Sequence, residues 1–293
     1  MRRFPLVFAG ICVLALAGPA FGQNPNARGR RKPRNPAAHT PASPGTGGRT
    51  ALPVVTLASW LDDADTLEPG RVVVGFSVGR WIALDGGQTD GPAADVSVGI
   101  LRGVQLSASL PYSHAGYSDG FRNSGLGDSY FVAKVRLIDP GKHAIGLAIL
   151  PTLEVLGQTA VSDTTLGLSR ANVALPVSLE VDRDKGRAYA TAGYFSRGAV
   201  SLGVGAERAL TERVTLVGTV TYSHATRSLS TSDLVDLSPS RTDAAGGLHV
   251  RVTPAVTISG SLGRTISRLD QNGARLTASA GISILTGRPK AIP

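Results

Sequence analysis

The sequence predicts an all-β protein: a transmembrane, antiparallel, up-and-down β-barrel of about 12 strands. Three observations predict it. Apolar residues alternate with Ser, Thr, Gly and charged residues in segment after segment from Arg71 to Leu285. An export-type N-terminus precedes them. Short turns alternate with longer connections between the segments. The last segment shows the alternation plainly: Leu276, Ala278, Ala280, Ile282 and Ile284 interleave with Arg275, Thr277, Ser279, Gly281 and Ser283. A strand sends successive side chains to opposite faces, so one face is continuously apolar and the other small and polar.

The N-terminus reads as a signal peptide over residues 1–22. Arg2 and Arg3 precede an apolar run from Leu6 to Ala17, Pro19 breaks it, and Ala20, Phe21 and Gly22 offer a cleavage site. The run is too short to span a bilayer, which takes ~20 residues. The single cysteine, Cys12, falls inside it, so the mature chain is expected to use no disulfide or thiolate chemistry.

Residues 23–52 read as a disordered basic linker rich in Pro and Gly, a composition that buries too little apolar surface to order itself. Arg28, Arg30, Arg31, Lys32 and Arg34 cluster here. The plain reading is a solvated tether; the sharper one is attraction to lipid phosphates. Residues 53–70 form a periplasmic lead-in with Trp60, Leu61 and Leu67 among Asp62, Asp63, Asp65 and Glu68. A short helix and a plug are both open readings of it.

Eight units of the formal net charge of +9 belong to the first 50 residues. They hold eight of the 30 Lys and Arg and none of the 21 Asp and Glu. The region beyond is nearly neutral and has no basic helix, so nucleic-acid binding is not expected.

Twelve strand candidates lie near 71–80, 93–101, 103–112, 127–138, 142–154, 166–181, 187–195, 198–208, 213–225, 240–252, 255–266 and 274–285, followed by a tail at 286–293. Short links at 101–103, 139–141, 182–186, 209–212 and 253–254 alternate with longer ones at 81–92, 113–126, 155–165, 226–239 and 267–273. Only the link at Ser196 and Arg197 breaks the rule. Bacterial outer-membrane barrels combine short periplasmic turns, long outer loops and an even strand number. The expected location is therefore the bacterial outer membrane, with both termini periplasmic. Outer-membrane lipid and lipopolysaccharide are the expected surroundings, and the oligomeric state stays open.

The apolar face includes Val74, Phe76, Val96, Leu106, Phe131, Leu179, Leu202, Leu216, Leu248, Ile258 and Leu262. The opposite face carries the lumen candidates Asp128, Lys134, Arg136, Glu154, Glu180, Glu207, His249, Arg251 and Arg275. Arg on a lipid face at mid-membrane costs about 2–4 kcal/mol, and the charges respect that penalty. The exceptions, Arg80 and Arg264, fall near strand ends, where they can snorkel. Trp81, Tyr112, Tyr194 and Tyr222 fall at strand ends on one side and read as an aromatic girdle. Pro176 interrupts the sixth strand and predicts a bulge.

Residues Gly125-Leu126-Gly127-Asp128 and Ala133-Lys134-Val135-Arg136-Leu137, with Leu110-Pro111-Tyr112 upstream and Leu150-Pro151-Thr152 downstream, carry a resemblance. The chain resembles a family of outer-membrane channels associated with meta-cleavage phenol degradation. The resemblance covers 71–285 as pattern and about 110–152 as motif. It implies a barrel of about twelve strands that takes up small hydrophobic or aromatic solutes. Asp128 reads first as a turn residue bonding its own backbone. The alternative is a fixed charge at the outer mouth, paired with Lys134 or Arg136.

The leading expectation is a narrow channel for small solutes, not an enzyme. The alternatives are a lipid-modifying hydrolase and a structural barrel with binding loops. Tyr-Ser-His occurs at 112–114 and 222–224. Neighbours on a strand point to opposite faces, so a hydrolytic dyad would need a cross-pair such as Ser113 with His224. No metal-ligand spacing or phosphate loop is present, so no metal and no cofactor is expected.

Overall fold

The computed structural model describes residues 61–84, 86–117, 120, 122–139, 143–157, 170–183, 186–226, 238–269 and 273–288. The expected signal peptide, the linker and residues 53–60 lie outside them, as do 289–293.

Fifteen strands run in chain order: β1 Val72–Ile82, β2 Gly86–Leu101, β3 Val104–Tyr117, β4 Arg122–Leu126, β5 Ser129–Ile138, β6 Gly146–Ile149, β7 Thr152–Val155, β8 Ala171–Ala174, β9 Val177–Arg183, β10 Gly186–Phe195, β11 Ala199–Ala209, β12 Val214–Ala225, β13 Ser240–Thr253, β14 Val256–Thr265 and β15 Leu276–Thr286. Three neighbouring pairs are single staves with a break. Strands β4 and β5 both pair with β3, β6 and β7 both pair with β5, and β8 and β9 both pair with β10. Counted as staves, the wall has 12 antiparallel strands. Strand β15 pairs with β1 from Val72↔Thr286 to Ile82↔Leu276 and closes the barrel.

Two of the breaks have a chemical cause in proline. Pro151 and Pro176 have no N–H to give to the ladder. Their carbonyls still accept, from Ala133 at 3.0 Å and from Leu150 at 2.9 Å. The predicted bulge at Pro176 is thus an interruption between β8 and β9. The third break follows Gly127, whose N–H donates to the Pro111 carbonyl at 2.8 Å.

The connections differ from expectation at one end of the barrel. The links predicted as loops at 81–92 and 113–126 are largely strand: β2 begins at Gly86 and β3 continues to Tyr117. In-register pairing between Gly86↔Tyr117 and Asp90↔Ser113 extends this hairpin past the apolar band. Polar sequence there reads as loop but pairs as strand, because strand pairing above a membrane needs no apolar face.

Side-chain direction follows the period of two. In β1, Val74, Phe76 and Val78 point out, while Val73, Gly75 and Gly79 are buried inside. Phe76, Leu106, Leu179, Leu202, Leu248 and Leu262 belong to an exposed apolar band around the outside. Water-soluble proteins rarely expose apolar patches above a few hundred Å²; a closed barrel in lipid requires such a band. Arg80 points outward and donates to Thr89 Oγ1 at 2.7 Å, on the side of the long connections.

Leu248→Arg, placing a charge mid-band on β13, is expected to cost about 2–4 kcal/mol of folding free energy. Thr219→Asn, on the inward face of β12, is expected to fold nearly as well as the parent. Denaturant titration in lipid vesicles measures both; equal stability of the two variants would contradict the assigned faces.

Candidate functional site

The lumen is the candidate site, and its two sides are built differently. On the side formed by β3, β5, β9 and β10 it is filled by the chain's own residues 61–67. This stretch forms neither helix nor strand. Its backbone instead finds partners on inward side chains, as buried peptide groups must. Ala64 N–H donates to Glu180 at 2.9 Å, and Leu67 N–H donates to Gln105 at 2.9 Å. The Asp62 carbonyl accepts from Thr191 at 2.8 Å and from Ser178 at 2.5 Å.

Charge holds the segment in register. Lys134 Nζ lies 2.8 Å from Asp62 and 3.0 Å from Asp63, and it donates to the Asp65 carbonyl at 3.0 Å. Arg136 reaches Asp65 at 2.8 Å. Arg187 contacts Asp63 with one arm and forks onto Glu207 with two bonds of 2.9 Å. Burial alone would raise the Asp63 pKa; Lys134 and Arg187 reverse that and hold it below the usual carboxylate range. A small apolar contact completes the fit, with Ala64, Ala148 and Leu150 buried together against Val132.

Glycine permits the close crossing at the mouth. Gly99 on β2 accepts at its carbonyl from Gly70 N–H at 2.8 Å. A Cβ on Gly99 would stand 2.2 Å from the Glu68 carbonyl oxygen. The segment therefore passes over the wall only where a side chain is missing.

Among the described residues, the opposite side of the lumen, lined by β12 to β15 and β1, is open. It encloses a cavity of about 500 Å³. Hydroxyls of Thr219, Thr221, Ser259, Ser261, Thr277 and Ser279 line it. Ser261 and Ser279 share a 2.6 Å hydrogen bond between neighbouring strands.

The predicted lumen residues divide into four groups. Lys134, Arg136 and Glu180 meet the inserted segment, and Glu207 joins it through Arg187. Glu154 is fully buried on the inward face, 3.0 Å from the Tyr130 hydroxyl and 3.3 Å from Arg197. His249 and Asp128 line the open cavity. Asp128 neither bonds its own turn nor pairs with Lys134 or Arg136; it accepts the Gly157 N–H at 2.9 Å, because the wall break places it beside the next stave. Arg251 and Arg275 are exposed at the barrel ends: Arg251 lies just past Val250, where the pairing of β13 with β12 stops, and Arg275 immediately precedes β15.

Trp81 departs from the expected girdle. It occupies an inward position of β1 and lines the cavity, so it is not part of a lipid-facing girdle. Tyr112, Tyr194 and Tyr222 do face outward. The two Tyr-Ser-His triplets make no dyad with each other. Ser113 is buried inside and donates to Asp90, while His224 points outward and shares a 2.7 Å bond with Ser240. His114 makes the equivalent 2.7 Å bond with Ser124.

Sequence reasoning missed Arg187, Gln105, Ser178 and Thr191. One signal was available: three aspartates in four positions, facing isolated cations on strands that otherwise alternate apolar and small. Among the described residues no group of three or more His, Cys, Asp or Glu is arranged to hold a metal ion.

No protein-family model matches the sequence, and no curated protein matches it. Solved structures match the fold. The chain is similar to an outer-membrane channel from Pseudomonas putida F1, with a TM-score of 0.57 at 12% identity over 76% of this chain and 98% of that one. It is also similar to the KdgM porin solved in complex with disordered oligogalacturonate, with a TM-score of 0.51 at 10% identity over 72% of this chain and 98% of that one. The fold of this chain is that of the outer-membrane β-barrels.

Proposed function

We propose that the protein is an outer-membrane channel for small solutes whose lumen is partly closed by its own residues 61–67. One observation carries the reading: a closed barrel with an apolar outside holds an open, hydroxyl-lined cavity beside a stretch of chain docked by side chains. A purely structural barrel would fill its interior with side chains; 12 staves leave more room than the eight at which packing is complete. The similarity to two outer-membrane channels supports the same reading.

The resemblance of residues 110–152 to the phenol-degradation channels favours hydrophobic or aromatic solutes. The lining favours another class. Ser and Thr hydroxyls dominate the open wall, and the apolar contact of Ala64, Ala148 and Leu150 is covered by the segment. The route along β12 to β15 suits small polar solutes. The outward Tyr112, Tyr194 and Tyr222 suit a rim among lipid and lipopolysaccharide headgroups. With an export signal ahead of β1, the end at which β1 starts and β15 finishes would face the periplasm. A hydrolase finds no support in the Tyr-Ser-His triplets, which place Ser113 and His224 on opposite sides of the wall.

The purified protein in planar bilayers is expected to give discrete conductance steps. An internal deletion of residues 61–67 is expected to raise the step size several-fold. Steps of unchanged size would remove the segment's role as a plug, and no steps from either protein would remove the channel.

Gly99→Val tests the crossing without deleting anything. The added side chain must displace residues 67–68, so the variant is expected to expose this segment to protease while the barrel keeps its heat-modifiable mobility on gels. Protection equal to the parent would count against the tight crossing.

A further inference from the structure

The open cavity has an unbalanced charge pattern. Among the described residues each cation lining it has an acid: Arg197 lies 3.3 Å from Glu154 and Arg241 lies 2.8 Å from Asp243. Two of its carboxylates do not have a cation. Asp90 accepts from Gln88 at 2.6 Å and from Ser113, and Asp128 accepts from the Gly157 N–H. Neither forms an ion pair with any described residue. Neutral donors fix the direction of a carboxylate and leave its charge in place. The low-dielectric barrel wall concentrates the field of that charge into the cavity.

An aromatic face stands beside them. Trp81 pairs across the ladder with Gln88, and Asp90 pairs with Gly79, two residues back along β1 on the same inward face. Indole is the side chain with the strongest attraction for cations, and aromatic rings with nearby acids are the usual means of holding alkylated ammonium groups. Across the cavity, Thr221 and Ser261 offer hydroxyl oxygens to N–H donors. The volume of about 500 Å³ lies within the range of small-molecule sites.

We infer that this cavity binds a small organic cation, a protonated amine or quaternary ammonium, with its charged head between the Trp81 ring and the carboxylates of Asp90 and Asp128. The inference rests on the channel reading for its biological meaning and gives that channel a solute class. A bare metal ion is the poorer occupant, because it gains nothing from an indole face and needs several converging oxygens.

The test uses choline as probe and the full chain in detergent and in planar bilayers. Trp60→Phe leaves Trp81 as the reporter, since the chain has two tryptophans. Saturable quenching of Trp81 fluorescence by choline is expected, together with reversible reduction of the potassium current. Asp90→Asn and Asp128→Asn, each shown folded by heat-modifiable mobility, are expected to weaken both effects at least tenfold. Quenching and block by glucose at the same concentrations as choline would overturn the cation assignment in favour of a neutral, hydroxylated solute. Potassium steps without choline quenching or block would overturn the site and leave the channel standing. Choline quenching without conductance would do the reverse.

Discussion

Closure of the ladder between β1 and β15 is the constraint on which everything else depends. Hydrocarbon offers no partner to a peptide group, so a spanning wall made of strands must pair every edge. Twelve antiparallel staves meet that condition when Val72↔Thr286 through Ile82↔Leu276 join the first to the last. The outer band of leucine, valine and phenylalanine follows from the same demand. So does the containment of proline: Pro151 and Pro176 cost the ladder two donors, and both breaks sit where a neighbouring N–H still reaches the proline carbonyl.

Closure also creates an interior in which charge must be balanced locally. Taking an ion from water is expensive, and removing one partner of a buried pair costs about 3–5 kcal/mol. Lys134, almost fully buried, would be such a liability alone. Asp62 and Asp63 answer it, Asp65 answers Arg136, and Glu207 with Asp63 answers Arg187. Strand cations and segment acids are thus mutually necessary, which is why a stretch with no regular secondary structure is held in one place. Among the described residues, the other side of the barrel offers no buried cation to hold such a segment, and there the lumen is open.

The lipid-facing half of the fold was legible in the sequence because it depends on a local rule. Alternation places Leu202, Leu216 and Leu248 outward whatever the rest of the chain does. Parity alone was also enough to send Lys134, Glu154, Glu180 and His249 inward. Trp81 shows two local cues in conflict. Its position at a strand end suggests a girdle, but the same parity that sends Val74, Phe76 and Arg80 outward turns it into the lumen. The 81–92 and 113–126 links show a second limit, since strands that rise above the apolar band lose the alternating signal while keeping their hydrogen bonds. Arg187 marks a third: nothing local distinguishes a lumen cation that has an acid waiting from one at a rim.

By itself the sequence determined the strand count, the faces of most strands and the separation of a basic N-terminal region from a nearly neutral barrel. These follow from the period of two and from the cost of charge in lipid, which act on each residue separately. Only the tertiary structure decided what fills the lumen. Whether Asp62 to Asp65 would sit in a helix outside the barrel or beneath Lys134 and Arg187 depends on residues about 70 to 125 positions away. Pairing across that distance leaves no periodic trace, because it is made by single side chains meeting a segment that has no repeat of its own.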